Sequence, residues 1–142
     1  PQKLEKIENL ILNSLRLLKK KEFDKALSII DNILNEKTTQ ISLSQKFGAR
    51  IVRLLALMSL KSYDQVNEEI KFCEEILNQM ESLERENHLV KEGEGRLLFV
   101  KGGIQTIHGD LESSLESYHH SLAIYETLGN NKGMIYQQLL EK

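Results

Sequence analysis

One seven-residue phrase occurs three times in this chain, as KEFDKAL, KSYDQVN and GDLESSL, beginning at Lys21, Lys61 and Gly109, 40 and then 48 residues apart. Apolar or small residues follow each copy at the same offsets. The first gives Phe23, Ala26, Leu27, Ile30, Ile33 and Leu34; the second Tyr63, Val66, Ile70 and Cys73; the third Leu111, Ser114, Leu115, Tyr118, Ser121 and Leu122. Self-similarity at a period of a few tens of residues is the mark of a repeat architecture. A unit of that size cannot bury its own apolar face, so it stacks on copies of itself. This phrase therefore sets the class of fold before any single residue is interpreted.

The spacing between the phrases is helical. Leu4, Ile7, Ile11, Leu15 and Leu18 recur at steps of three and four, which predicts a helix over Leu4–Lys20, with Leu10, Ser14 and Leu17 widening its apolar side. A turn at Lys21 leads to a second helix, Glu22–Glu36, and Lys37-Thr38-Thr39 breaks the pattern. Gln40–Leu60 is a third, carrying Leu43, Phe47, Ile51, Leu54, Leu55, Leu57 and Met58. Ser62 is an expected N-cap for a fourth, Tyr63 to about Glu84. Its seam Tyr63, Val66, Ile70, Cys73, Leu77 and Met80 is narrow, with Glu68-Glu69 and Glu74-Glu75 assigned to the opposite, solvated side. After a polar stretch from Arg85 to Glu94 come Arg96–His108 and, capped by Asp110, Leu111–Leu128; Gly129 stops that helix, and Asn131–Lys142 restarts an apolar pattern. The lone proline is Pro1, so nothing interrupts these helices from within.

Composition removes several classes. Hydrophobic residues at 40% and charged residues at 28% describe an ordinary globular chain. Cys73, the single cysteine, has no disulfide partner and reads as a buried small hydrophobe. No leader peptide or membrane span of ~20 apolar residues is present, so the expected location is the cytoplasm. His119-His120 point about 100° apart on a helix and cannot share a metal, and there is no HExxH or Cys/His cluster. Gly102, Gly103 and Gly109 form no phosphate-binding pattern. Lys19-Lys20-Lys21 complements a helix C-terminus. Charge is unevenly spread: residues 1–61 carry twelve Lys/Arg against six Asp/Glu, a net of +6, and residues 62–142 seven against fifteen, a net of −8. The expectation is a protein that binds no cofactor, metal, nucleic acid or membrane and is not an enzyme.

Tandem helix pairs with this phrase at each turn resemble the tetratricopeptide repeat family. In the third unit Leu98, Gly102, Gly109, Ser114, Tyr118 and Ser121 fall at that family's large, small, turn-glycine, small, aromatic and small positions. Leu10, Ser14, Leu17, Ala26 and Ile30 take the corresponding places in the first unit. Leu54 stands where the second unit would have a small residue, Lys101 and Gln105 replace bulky apolar ones, and the periods exceed the usual ~34 residues. The wording LAIYETLGN is similar to longer-period members of the family.

The resemblance implies an all-α, right-handed stack of antiparallel hairpins, a TPR-like α-solenoid over residues 1–142. Its units are 2–37, 40–86 and 87–129, with 131–142 as a capping or truncated helix. It implies close approach at Ser14 and Gly102, facing Ala26 and Ser114, and full burial of Ile30 and Tyr118. It further implies a concave apolar groove presenting Ile11, Leu15, Ile51, Leu55, Met58, Arg96 and Phe99 to a peptide or amphipathic helix of a partner. Of the positions Ile11, Leu15, Val52, Arg96 and Val100, which match the carboxylate-gripping residues of the family's chaperone-tail binders, only Arg96 is charged. The expected function is protein–protein interaction, with self-assembly into a homo-oligomer or peptide sensing within a larger protein as alternatives.

Overall fold

The computed structural model describes residues 2–36 and 40–129; Lys37-Thr38-Thr39 and the expected helix Asn131–Lys142 lie outside the described residues. Seven helices and no strand are found among them: α1 Gln2–Lys19, α2 Phe23–Asn35, α3 Leu43–Ser59, α4 Tyr63–Gln79, the short α5 Ser82–Arg85, α6 His88–Ile107 and α7 Leu111–Thr127. The chain divides into two compact units, Pro1–Met80 and Glu81–Lys142. The boundary falls within the second expected repeat unit.

The first unit holds α1 to α4. α1 packs on α2 and on α3, α2 packs on α3, and α3 packs on α4. Its core joins Ile7 and Ile11 of α1, Ile30 and Ile33 of α2, and Ala49 and Val52 of α3. Small residues allow this closeness: Ser14, Ala26 and Ala49 are all fully buried. α3 touches all three other helices and buries Gln45, Phe47, Ala49, Ile51, Val52, Leu54, Ala56 and Leu57, a set that runs around the helix. A helix covered from several sides in this way is the central one of its unit. It starts three residues later than expected, at a capping box: Ser42 Oγ accepts from Gln45 N at 3.1 Å, and Gln45 Oε1 accepts from Ser42 N at 3.2 Å. On α4 the expected seam is buried at Val66, Ile70, Cys73, Leu77 and Met80, but a second line, Glu69 and Ile76, is buried as well.

The recurring phrase marks one recurring turn. Lys21, Lys61 and Gly109 have φ of +62°, +61° and +80°. In each case this residue's N–H donates to the carbonyl three residues back: Leu18, Met58 and Thr106. The next N–H donates five back: Glu22 to Leu17, Ser62 to Leu57, and Asp110 to Gln105. These paired bonds form the Schellman arrangement, which satisfies the last carbonyls of one helix and lets the next begin two residues on. The left-handed conformation costs an L-residue about 1–2 kcal/mol and glycine essentially nothing. Ser62 stands at the expected N-cap position but makes no side-chain cap bond, because its ψ of 67° does not aim the hydroxyl at the first turn. Asp110, with nearly the same backbone, has one more atom of reach and accepts from Ser113 N at 3.4 Å.

The second unit holds α5 to α7. Asn87 caps α6, its Oδ1 accepting from Leu89 N at 2.9 Å, so that helix starts eight residues before Arg96. Where α6 and α7 meet, one arrangement occurs twice, seven residues apart on each helix. Ser121 Oγ donates to Gly95 O at 2.7 Å, and Ser114 Oγ donates to Gly102 O at 2.9 Å. A Cβ on Gly95 would stand 2.9 Å from Tyr125 Cε2, and one on Gly102 2.8 Å from Tyr118 Cε1. Each glycine thus makes room for a tyrosine ring and exposes a carbonyl to a serine. Tyr118 and Ile30 are both buried, as their equivalent repeat positions require. Leu111 and Leu115, by contrast, are 63% and 49% exposed, so that part of the third apolar set faces solvent.

Gly102→Ala is expected to destabilise the chain by about 1–3 kcal/mol, since overpacking against Tyr118 outweighs the helix-propensity gain of ~1 kcal/mol. Gly103→Ala is expected to be neutral or stabilising. Urea unfolding of the two variants checks this, and a stabilised Gly102→Ala would deny the glycine its packing role.

Candidate functional site

The seven residues expected to face a partner separate by burial and by unit. In the first unit Ile11 and Ile51 are buried, Ile11 within the α1–α2–α3 core. Their side chains are core, not open surface. Leu15 on α1 and Leu55 and Met58 on α3 are half-buried, and α1 and α3 pack directly on each other. In the second unit Arg96 and Phe99 lie on α6, both half-buried. Arg96 donates to Glu92 at 2.8 Å, one turn earlier, and Phe99 tilts against Tyr118 with ring centroids 5.7 Å apart. Val52 and Val100, at two of the carboxylate-gripping positions, are buried.

The strongest electrostatic feature was hidden in the sequence. Glu69, one of a Glu-Glu pair expected on the solvated side of α4, is fully buried. The face is set by α3, which presents two arginines to it. Arg50 Nη1 donates to Glu69 Oε1 at 2.6 Å, and Arg53 Nη1 donates to the same oxygen at 2.7 Å. Arg53 Nε also donates to Asp31 Oδ1 on α2 at 3.0 Å. Burial works against the Arg53 charge, but the Asp31 bond and the Glu69 charge outweigh it and hold the guanidinium above its usual value. Arg50 stacks over the Phe72 ring, 4.5 Å from its centroid. One carboxylate therefore ties α4 to α3, and through Arg53 to α2.

Such a network specifies position more than it adds stability, because desolvating the charges offsets much of their attraction. Removing one member is another matter. Glu69→Ala is expected to cost about 3–5 kcal/mol by leaving Arg50 without a carboxylate and Arg53 with Asp31 alone in a mostly buried site. Adding Arg50→Met and Arg53→Met to Glu69→Ala should recover part of that loss, and urea unfolding of the single and triple variants measures it. A triple variant no more stable than the single one would argue against an uncompensated charge.

Two further buried groups are chemically quiet. Cys73 is fully buried, and desolvation, with Glu69 nearby, pushes its thiol well above the ordinary range. A thiol held protonated this way is a poor nucleophile. Tyr125 packs on Gly95, and its hydroxyl has no hydrogen-bond partner. Burial raises it from 10.0 to about 12, with Arg96 pulling it down and Glu92 pushing it up. His88, His108, His119 and His120 are exposed. Among the described residues, no three His, Cys, Asp or Glu side chains are placed to hold a metal ion, and no helix is long and apolar enough to cross a membrane.

Compared with family models, curated proteins and solved structures, the chain matches none.

Tyr125 gives a pH-dependent expectation. Its folded value lies above its unfolded one, so its contribution to stability is whole below about pH 10 and is lost as pH rises through about 12. Tyr125→Phe should be neutral or stabilising at pH 7, because it deletes an unpartnered buried hydroxyl. It should also lose less stability than the parent chain between pH 10 and 12. Chemical unfolding across that range decides; equal alkaline losses would show that the phenol does not contribute.

Proposed function

We propose that this chain is a protein–protein interaction module of the tetratricopeptide repeat kind, built as a right-handed stack of helical hairpins and without catalytic activity. The observation that carries this reading is the single hairpin turn repeated at Lys21, Lys61 and Gly109, each with the same paired backbone bonds. The same turn closes each of these hairpins, and hairpins of this size stack because none buries its apolar face alone. The partner we infer is an amphipathic helix or extended peptide. It lies along the first helices of the hairpins, over Leu15 on α1 and Leu55 and Met58 on α3. Those side chains are anchored in the fold yet partly open, which suits apolar anchors spaced three, four and seven residues apart on a partner. Arg96 and Phe99, on α6 of the second unit, are half-buried in the same way and are taken as that unit's own contact residues. The buried ion network supports the assignment indirectly, since it fixes α3, the central helix of that surface, against α2 and α4.

Self-assembly is the second reading, favoured by Ile107, Leu111 and Leu115, each about half exposed or more around the α6–α7 turn. Leu55→Glu together with Met58→Glu tests the first reading, and Leu111→Glu together with Leu115→Glu tests the second. The first pair is expected to abolish capture of a partner from the native cell, recovered by the parent chain, while leaving helical content unchanged. Sedimentation of each purified variant shows whether the second pair reduces self-association. Partner capture unaffected by Leu55→Glu and Met58→Glu would refute the surface proposed here.

A further inference from the structure

The left-handed turn positions do not all carry the same kind of residue. Gly109 and Gly129, in the second unit, are glycine; Lys21 and Lys61, in the first, are lysine at the same backbone conformation. Compensation of the helix dipole does not account for the difference. α1 already has Arg16 and Lys19 in its last turn, while α3, α6 and α7 all have no basic residue there, yet lysine follows α3 and glycine follows α6 and α7. The first unit keeps a charged side chain where the backbone favours none.

Topology places the two lysines together. α1 and α3 run in the same direction, each followed by an antiparallel helix, and they pack on each other, so their C-terminal turns share one end of the unit. Axes of packed helices lie about 8–10 Å apart, so the two turns can approach to about that distance. Lys19, Lys20, Lys21 and Lys61 are all exposed there, and none forms an ion pair with another described residue. Glu22 is taken by Lys25 at 3.1 Å, and Asp24 and Asp64 lie in the first turns of α2 and α4, where they complement those helix N-termini.

We propose that this end of the first unit is a docking surface for a short acidic peptide segment of a partner protein, held by Lys19, Lys20, Lys21 and Lys61. An extended strand rises about 3.3 Å per residue, so carboxylates three residues apart span about 10 Å and reach both turns. The patch is confined to one end and bordered by Asp24 and Asp64, which suits a short peptide better than a continuous polyanion such as nucleic acid. The proposal rests on the turns alone and is independent of the apolar surface over Leu55.

The test uses a fluorescently labelled glutamate-rich peptide and measures anisotropy against the full chain at low and high salt. Lys21→Gly with Lys61→Gly removes both charges while relaxing both turns, so the double variant should unfold at a temperature no lower than the parent's. It is expected to bind the peptide about five- to tenfold more weakly, the loss of two exposed charge pairs. Lys46→Gln, near the start of α3 at the opposite end, should bind as the parent does. Lys21→Arg with Lys61→Arg should retain binding. The proposal is overturned if the parent does not bind the peptide at low salt, or if the glycine double variant binds equally well. Tighter binding of an oligothymidylate of matched charge would also overturn it.

Discussion

Three helix-to-helix turns among the described residues depend on one backbone event: a residue in the left-handed conformation that closes one helix and frees the next to begin two residues later. The two bonds made there satisfy two of the carbonyls that a helix end leaves without an intrahelical partner. They also fix the reversal tightly enough that the helices on either side must lie against each other. What differs between hairpins is how that enforced closeness is filled.

Two solutions are used. In the second unit closeness is direct: glycine on α6 meets tyrosine on α7, twice, with serine hydroxyls using the carbonyls that the glycines leave bare. In the first unit the α3–α4 contact is electrostatic as well as apolar, with a buried carboxylate between two arginines. The first solution depends on shape and tolerates no added methyl at Gly95 or Gly102. The second depends on charge balance: a buried anion is acceptable only while its cations remain.

The unequal legibility of these features has a physical basis. Gly102 could be picked out because glycine inside an otherwise apolar helix is costly without a packing reason. Gly95 performs the same task but lies in the run EGEGR, where polar neighbours make it look like part of a linker. Ser42 and Gln45 form a capping box that the spacing S-x-x-Q announces, yet the apolar pattern alone placed the helix start earlier. Glu69 carries no local signal at all. It is one of several glutamates on α4, and only the arrival of Arg50 and Arg53 from α3 makes its burial possible. Ile11 and Ile51 fit an exposed groove by repeat position, but each sits on a helix covered from more than one side, so both joined the core.

The sequence by itself determined the helical class, the positions of the three turns, the buried equivalence of Ile30 and Tyr118, and the inertness of Cys73. These follow from local periodicity and from residues whose conformational or packing needs do not depend on a distant partner. Tertiary structure decided which glutamate would be buried, which second glycine would receive a tyrosine ring, and which apolar residues would stay partly open. Each of those outcomes is a pairing between helices far apart in sequence. The free energy of burying a charge or filling a gap belongs to the pair, so neither member alone reveals it.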